Sequence, residues 1–205
     1  MNSMLLRFAV TLLVAAPVLS ATTPSCCHPP LAASAPLPVA SLYQTEVDFT
    51  TDAEVPFRLA ELRGQPVALV MFFASCGHAC PATVVDLVRI REKLPADVRS
   101  SVRIVMVTFD VERDTPAALR AFRESRGIPS DWVLLHGSND AVRELAALLG
   151  VKYKREADGM FAHSNMITIL SRDGEITHQR FGLTGGLDEA AAALGAAAKA
   201  VGAES

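Results

Sequence analysis

Eight consecutive residues, Pro66 to Phe73, read PVALVMFF. The run carries no charge and is rich in β-branched and aromatic side chains. A strand with one wet face would alternate polar and apolar residues; a continuous apolar run marks a strand buried on both faces. Such a strand needs helices packed above and below it, and the chain on either side must supply them.

The pattern on either side does supply them. Cys80 to Leu94 reads as a helix, with Pro81 suited to the first turn and Val84, Leu87, Val88 and Leu94 near one face. Val102 to Phe109 (VRIVMVTF) is a second strand. Thr115–Pro116 opens a helix with Leu119 and Phe122 on its apolar side, and Gly127 and Pro129 stop it. Trp132 to Leu135 is a short strand, and Ser138 to Leu149 a helix ended by Gly150. Asn165 to Leu170 and Glu175 to Phe181 form a hairpin about Asp173–Gly174. A last helix runs from Leu187 to Val201, with Leu187, Leu194 and Val201 on one face. The order predicts an α/β, thioredoxin-like fold. It has a mostly parallel central sheet flanked by helices, a closing β-hairpin and a C-terminal helix.

That fold occupies residues 41–205. The 205 residues are half apolar, enough for one packed core. Lys and Arg number 19 against 22 Asp and Glu, a net charge of −3 that supplies no excess for neutralising nucleic-acid phosphates. Residues 1–21 read as an export signal: Arg7, then the apolar stretch Phe8 to Ala16, Pro17, and small residues at Val18, Ser20 and Ala21. The other reading is an uncleaved anchor over Met4 to Ala21, the one contact with a membrane that the sequence allows. Either way the remainder lies outside the cytoplasm, in a bacterium in the periplasm, tethered to the inner membrane in the second case. Residues 22–40 are rich in Ala and Pro and read as a flexible linker.

Four cysteines are too few for a disulfide-built scaffold, and two of them stand where chemistry is expected. Cys76 and Cys80 lie four apart between the first buried strand and its helix, in CGHACP. Helical neighbours at that spacing have Cβ atoms roughly 5–6 Å apart. A relaxed disulfide wants about 3.5–4.5 Å. A shared ion bound through sulfur at about 2.3 Å tolerates the wider gap. The helix N-terminus favours negative charge, so one or both thiols are expected to be acidified. Two thiolates in a copper-accessible compartment select Cu(I) and leave a third ligand position open.

His163 is the expected third ligand. It precedes the strand Asn165–Leu170, and in a sheet of this topology that loop faces the cysteines. Thiol oxidoreductases carry a cis-proline there, whereas no proline occurs from Lys152 to Leu170. His78, between the cysteines, is expected to point away from both sulfurs. His136 and His178 read as structural. Asp110 follows the second buried strand, where sites form in open α/β sheets. Orienting the ligand loop and a purely structural role are equally open to it. Arg113 and Asp114 are expected to pin the loop and the following helix start. Cys26, Cys27 and His28, in the linker, read as an auxiliary metal-binding set or an incidental tail sequence.

From Ser41 to Leu183 the chain resembles the SCO/SenC family of thioredoxin-fold copper chaperones. The resemblance rests on C-x-x-x-C-P at Cys76 to Pro81, D-x-x-R-D-T-P at Asp110 to Pro116, and His163 before a late strand. Gly77 stands where many members have proline, and Ala162 where many have an acidic residue. The resemblance implies copper, as Cu(I) or Cu(II), held by Cys76, Cys80 and His163, with a switch between dithiol and disulfide. It also implies a copper-enzyme client, a cytochrome c oxidase subunit with a binuclear copper site, and a carrier rather than a turnover enzyme. The alternative is a thiol–disulfide reductase working on a client's cysteines. Cys76 and Cys80 would then be the redox pair, with Cys76 as nucleophile.

Overall fold

The computed structural model describes residues 36–77 and 79–200. The chain divides into Met1–Ala35 and Pro36–Ser205, and the described residues belong to the second unit. The expected export signal, Cys26, Cys27, His28 and His78 therefore lie outside the described residues. Residues 36–40 of the expected linker carry no helix or strand, and Leu37 packs against the core.

In chain order the strands and helices begin with β1 (Phe49–Thr51), β2 (Pro56–Phe57) and β3 (Val67–Phe72). Next come α1 (Ala79–Glu92), the short α2 (Ala96–Arg99), β4 (Arg103–Thr108) and α3 (Pro116–Arg126). They continue with β5 (Val133–Gly137), α4 (Asn139–Leu149), β6 (Tyr153–Arg155) and β7 (Phe161–His163). The chain closes with β8 (Met166–Leu170), β9 (Ile176–Phe181) and α5 (Leu187–Lys199).

Seven strands form one sheet in the order β2-β1-β5-β4-β3-β8-β9, and β6 and β7 pair separately. The middle is parallel: β3 runs beside β4 from Val67↔Arg103 to Phe72↔Thr108, and β4 beside β5. The flanks are antiparallel, β1 on β5 and on β2, β8 on β3 and on β9. Only β1 and β8 oppose the common direction. Every residue of β3 is buried, as the unbroken apolar run requires. Leu69, Leu87, Met106, Leu134 and Ile167 are among the largest fully buried side chains. Each such burial contributes about 1.5–3 kcal/mol. The result is the expected α/β fold, with α5 packed on α1, β8 and β9, and α3 and α4 on β5.

Helix ends fall where the sequence places them. Thr115 Oγ1 accepts the Ala118 amide ahead of Pro116, and Ser138 Oγ the Ala141 amide. Gly127 and Gly150 close α3 and α4 in the left-handed region, at φ +61° and +73°. Two hairpins escape the pattern, β1–β2 and β6–β7. Their strands are two or three residues long, too short for alternation to register.

Candidate metal centre

β3 and β4 end side by side, and the loops that leave them build the site: the Phe109 amide donates to the Phe72 carbonyl at 2.9 Å. After β3 the chain turns at once, the Cys76 amide donating to the Phe73 carbonyl at 3.2 Å. It then enters α1, whose second residue is Cys80. Both cysteines are reduced and almost fully buried, 6% and 2% exposed. The Cys80 amide donates to Cys76 Sγ at 3.3 Å. An N–H at a helix start aimed at sulfur favours negative charge on that sulfur.

His163 is the last residue of β7. Its Nδ1 lies 3.1 Å from the Ser164 carbonyl oxygen. A carbonyl only accepts, so Nδ1 carries the proton and Nε2 keeps its lone pair for another partner. The ring is held edge-on to Phe73 (centroids 5.7 Å apart) and tilted against Phe109 (5.0 Å). Phe161 and Tyr153 complete the aromatic cluster around Phe109, at 5.0 and 5.2 Å. A surface depression lined by Lys152, Tyr153, Lys154, Ala162, His163 and Ser164 opens this side of the imidazole to approach from solvent.

Ligand atoms of Cys76, Cys80 and His163 all lie within 4.8 Å of one another. A three-coordinate ion with bonds of about 2.0–2.3 Å sets its ligands roughly 3.5–4 Å apart. The three side chains are thus close to a trigonal arrangement before any ion enters. They form the one such cluster of three metal-ligating side chains among the described residues. Two sulfurs and an imidazole make a soft donor set, suited to Cu(I) above the hard cations.

Burial pushes the Cys80 thiol well above its ordinary range. Desolvation there outweighs the helix N-terminus, so the expected acidification does not extend to Cys80. A bound cation reverses that penalty, because it partners the thiolate charge directly. Burial also lowers the pKa of His163, which keeps its imidazole neutral, the form that ligates.

The second signature sits against this centre. Asp110 is buried, pairs with Arg113 Nε, and does not join the metal cluster. Asp114, expected to pin the loop and the helix start, is 3% exposed and accepts from the Ala74 amide at 2.7 Å and from Thr108 Oγ1 at 2.6 Å. It therefore pins the cysteine loop two residues before Cys76. Arg113 reaches the Gly159 carbonyl at 2.6 Å. His136 lies outside the cluster, its Nδ1 3.0 Å from the Asp114 carbonyl, and His178 is half-buried on β9. The acids in the motif gave a signal that the loop matters; the distant Ala74 amide that Asp114 holds left no trace in the sequence.

A family model, SCO1/SenC, matches residues 38–198. A Stutzerimonas stutzeri protein whose name proposes copper binding is 25% identical over 135 residues, which is 64% of this chain. The match spans 65% of that relative, just under two thirds of its length. Among solved structures, an Aquifex aeolicus protein whose name proposes electron transfer superposes with a TM-score of 0.70 at 21% identity, over 82% of this chain and 98% of that one. Bradyrhizobium japonicum ScoI with copper bound gives a TM-score of 0.61 at 22% identity, over 72% of this chain and 94% of that one. At such identities the structural matches speak for the fold, and the family match covers most of the chain: this protein belongs to the SCO1/SenC family.

Proposed function

We propose that the protein is an exported copper carrier that holds Cu(I) through Cys76, Cys80 and His163 and passes it to a copper enzyme. The observation that carries this reading is the convergence of two buried sulfurs and an imidazole with an unprotonated Nε2, all within 4.8 Å. Loading displaces the thiol protons and places the monovalent ion between two thiolates and a neutral ligand. Release proceeds by ligand exchange, with a client's thiolates replacing the carrier's donors one at a time. Oxidation of the two thiolates to a disulfide, with two electrons passing to an external acceptor, removes the sulfur ligands and ends binding. The binuclear copper site of cytochrome c oxidase is the client that family membership favours. Residues 1–21 then direct the chain to the periplasm or tether it at the inner membrane, residues 22–40 are the linker, and 41–205 form the carrier domain. Among the described residues no helix is long and apolar enough to cross a membrane.

The test is anaerobic Cu(I) titration of the reduced full chain carrying Cys26→Ser and Cys27→Ser, with X-ray absorption to count neighbours. One ion with two sulfurs and one nitrogen is expected, and His163→Ala weakens binding strongly. Unchanged affinity in His163→Ala refutes the three-ligand site. Restoring Cys26 and Cys27 tests a relay role for Cys26, Cys27 and His28; equal copper stoichiometry with and without them speaks against it.

The Cys80 amide on Cys76 Sγ favours a second reading, a thiol–disulfide reductase with Cys76 as nucleophile. Insulin reduction by the metal-free protein, insensitive to His163→Ala, is the outcome that reading requires.

A further inference from the structure

Cys76 and Cys80 follow β3 of the seven-stranded sheet, while His163 ends the separate β6–β7 hairpin. Three residues later the chain enters β8, which pairs with β3 from Val67↔Leu170 to Val70↔Ile167. Backbone pairing therefore anchors the base of the hairpin beside the cysteine strand and leaves its turn unpaired with the sheet. The segment from Thr108 to Asp114 touches both halves. On the cysteine side, Asp114 holds the Ala74 amide. On the histidine side, Arg113 Nη2 donates to the carbonyl of Gly159 at the hairpin turn, at 2.6 Å. The same guanidinium donates through Nε to Asp110.

The burial of the partners decides which tie is firm. Glu112 also reaches the hairpin, pairing with Arg155 of β6, but those side chains are 65% and 42% exposed. Exposed pairs of that kind hold weakly. Arg113 is itself 38% exposed and its bond to Gly159 lies at the surface, but the Asp110 side chain it pairs with is 1% exposed, so the core fixes that carboxylate and gives the guanidinium its footing. At the other end of the hairpin, Ser164 and Lys152 are joined by two hydrogen bonds, at 2.8 and 3.2 Å. The hairpin is thus tied at its base by its own backbone and at its turn by Arg113, with His163 next to the base and its ring against Phe109.

We propose that Arg113 is a positioning residue of the metal centre: footed on buried Asp110, it holds the turn of the β6–β7 hairpin and thereby sets His163 at bonding distance from the two thiolates. This rests on the three-ligand reading above and assigns part of the D-x-x-R-D-T-P motif a specific task. A planar guanidinium binds two acceptors at once in a fixed fork, which a lysine ammonium does not reproduce. Arg113→Lys therefore keeps the charge beside Asp110 and gives up the span to Gly159.

The full chain with Cys26→Ser and Cys27→Ser is compared with its Arg113→Lys, His163→Ala and Arg113→Lys/His163→Ala forms. Cu(I) affinity is read by competition with a chromophoric chelator, the nitrogen neighbour by X-ray absorption, and folding by urea denaturation. Arg113→Lys is expected to weaken Cu(I) about tenfold, within the 10–100-fold range for residues that orient ligands. Its nitrogen shell should be depleted or disordered and its urea midpoint close to that of the parent. In the His163→Ala background the same change should cost no further affinity. Unchanged affinity in Arg113→Lys overturns the proposal. So does an equal loss with and without His163, or a loss matched by a fallen urea midpoint. If His163→Ala itself leaves affinity unchanged, the three-ligand reading fails first and the clamp falls with it. Should Arg113→Lys not fold, Asp110→Asn/Arg113→Gln, which removes both charges together, is read by the same criteria.

Discussion

Arg180 shows how firmly single side chains can be bound into this fold. It lies on β9, where its Nη1 donates to Asp86 of α1 at 2.8 Å and its Nε to the Gly185 carbonyl at 2.6 Å. The paired side chains are 4% and 9% exposed. A buried ion pair adds little net stability when whole, yet breaking one strands a charge in the core. Arg180→Met is therefore expected to destabilise the protein by about 3–5 kcal/mol. Arg89, 3.9 Å from Asp86, offsets part of that loss. Arg180→Met/Asp86→Leu should recover most of it. Urea denaturation of the single and double variants reads this directly, and a double variant as unstable as the single one contradicts it. At this scale the sequence shows the donors of the metal centre, because Cys and His have few other reasons to stand at a strand end. It hides the residues that hold them. Asp114 meets Ala74 across 40 positions and Arg113 meets Gly159 across 46, and nothing local marks either partner.

Among the elements, β3, β4, α3 and α4 are plain in the sequence because burial and capping are local signals. The hairpin that carries His163 is not. Of the six residues in its strands, Lys154, Arg155 and His163 are charged or polar, and what keeps it folded is tertiary: Tyr153 and Phe161 lie on Phe109, beyond the end of β4. Phe109→Ala removes that support. The expected stability loss is about 3–5 kcal/mol, as for other buried Phe truncations. Amides of β6 and β7 should lose hydrogen-exchange protection more than those of β3. Cu(I) affinity should fall although no ligand is touched, whereas Phe109→Leu, which keeps most of the volume, should retain more of all three. Uniform loss of protection across the sheet would show that Phe109 serves the core and not the hairpin. The β8–β9 turn offers a cleaner test of local geometry. Gly174 sits at φ +83°, and a Cβ there would come within 2.6 Å of the Tyr43 ring. The Leu42 amide also donates to its carbonyl at 3.0 Å. Gly174→Ala combines backbone strain with a clash against a buried ring, so it should lower the unfolding free energy, read by urea denaturation, by more than the roughly 1–2 kcal/mol expected of a left-handed glycine alone. Tyr43→Leu should relieve part of that excess.

At the scale of the whole molecule, strand and helix alternation was enough to give the parallel centre β5-β4-β3 and the closing β8–β9 hairpin. It could not show that β1 joins the sheet beside β5, since that pairing links residues 49–51 to 135–137. The resulting architecture brings two covalently distant segments together at the candidate metal centre. Copper occupancy and folding stability are therefore linked, because the unfolded chain does not preassemble the three donors. Cu(I) held at a hundredfold excess over its dissociation constant should raise the unfolding free energy of the reduced protein by about 2.7 kcal/mol. The gain should vanish in Cys76→Ser/Cys80→Ser and shrink in His163→Ala. Forming the Cys76–Cys80 disulfide should abolish it as well, since no thiolate then remains at the centre. Calorimetric melts of the reduced and oxidised full chain, each with and without Cu(I), separate these cases. A copper-dependent rise that survives oxidation would place the ion on other ligands, and Cys26, Cys27 and His28 would be the first to remove.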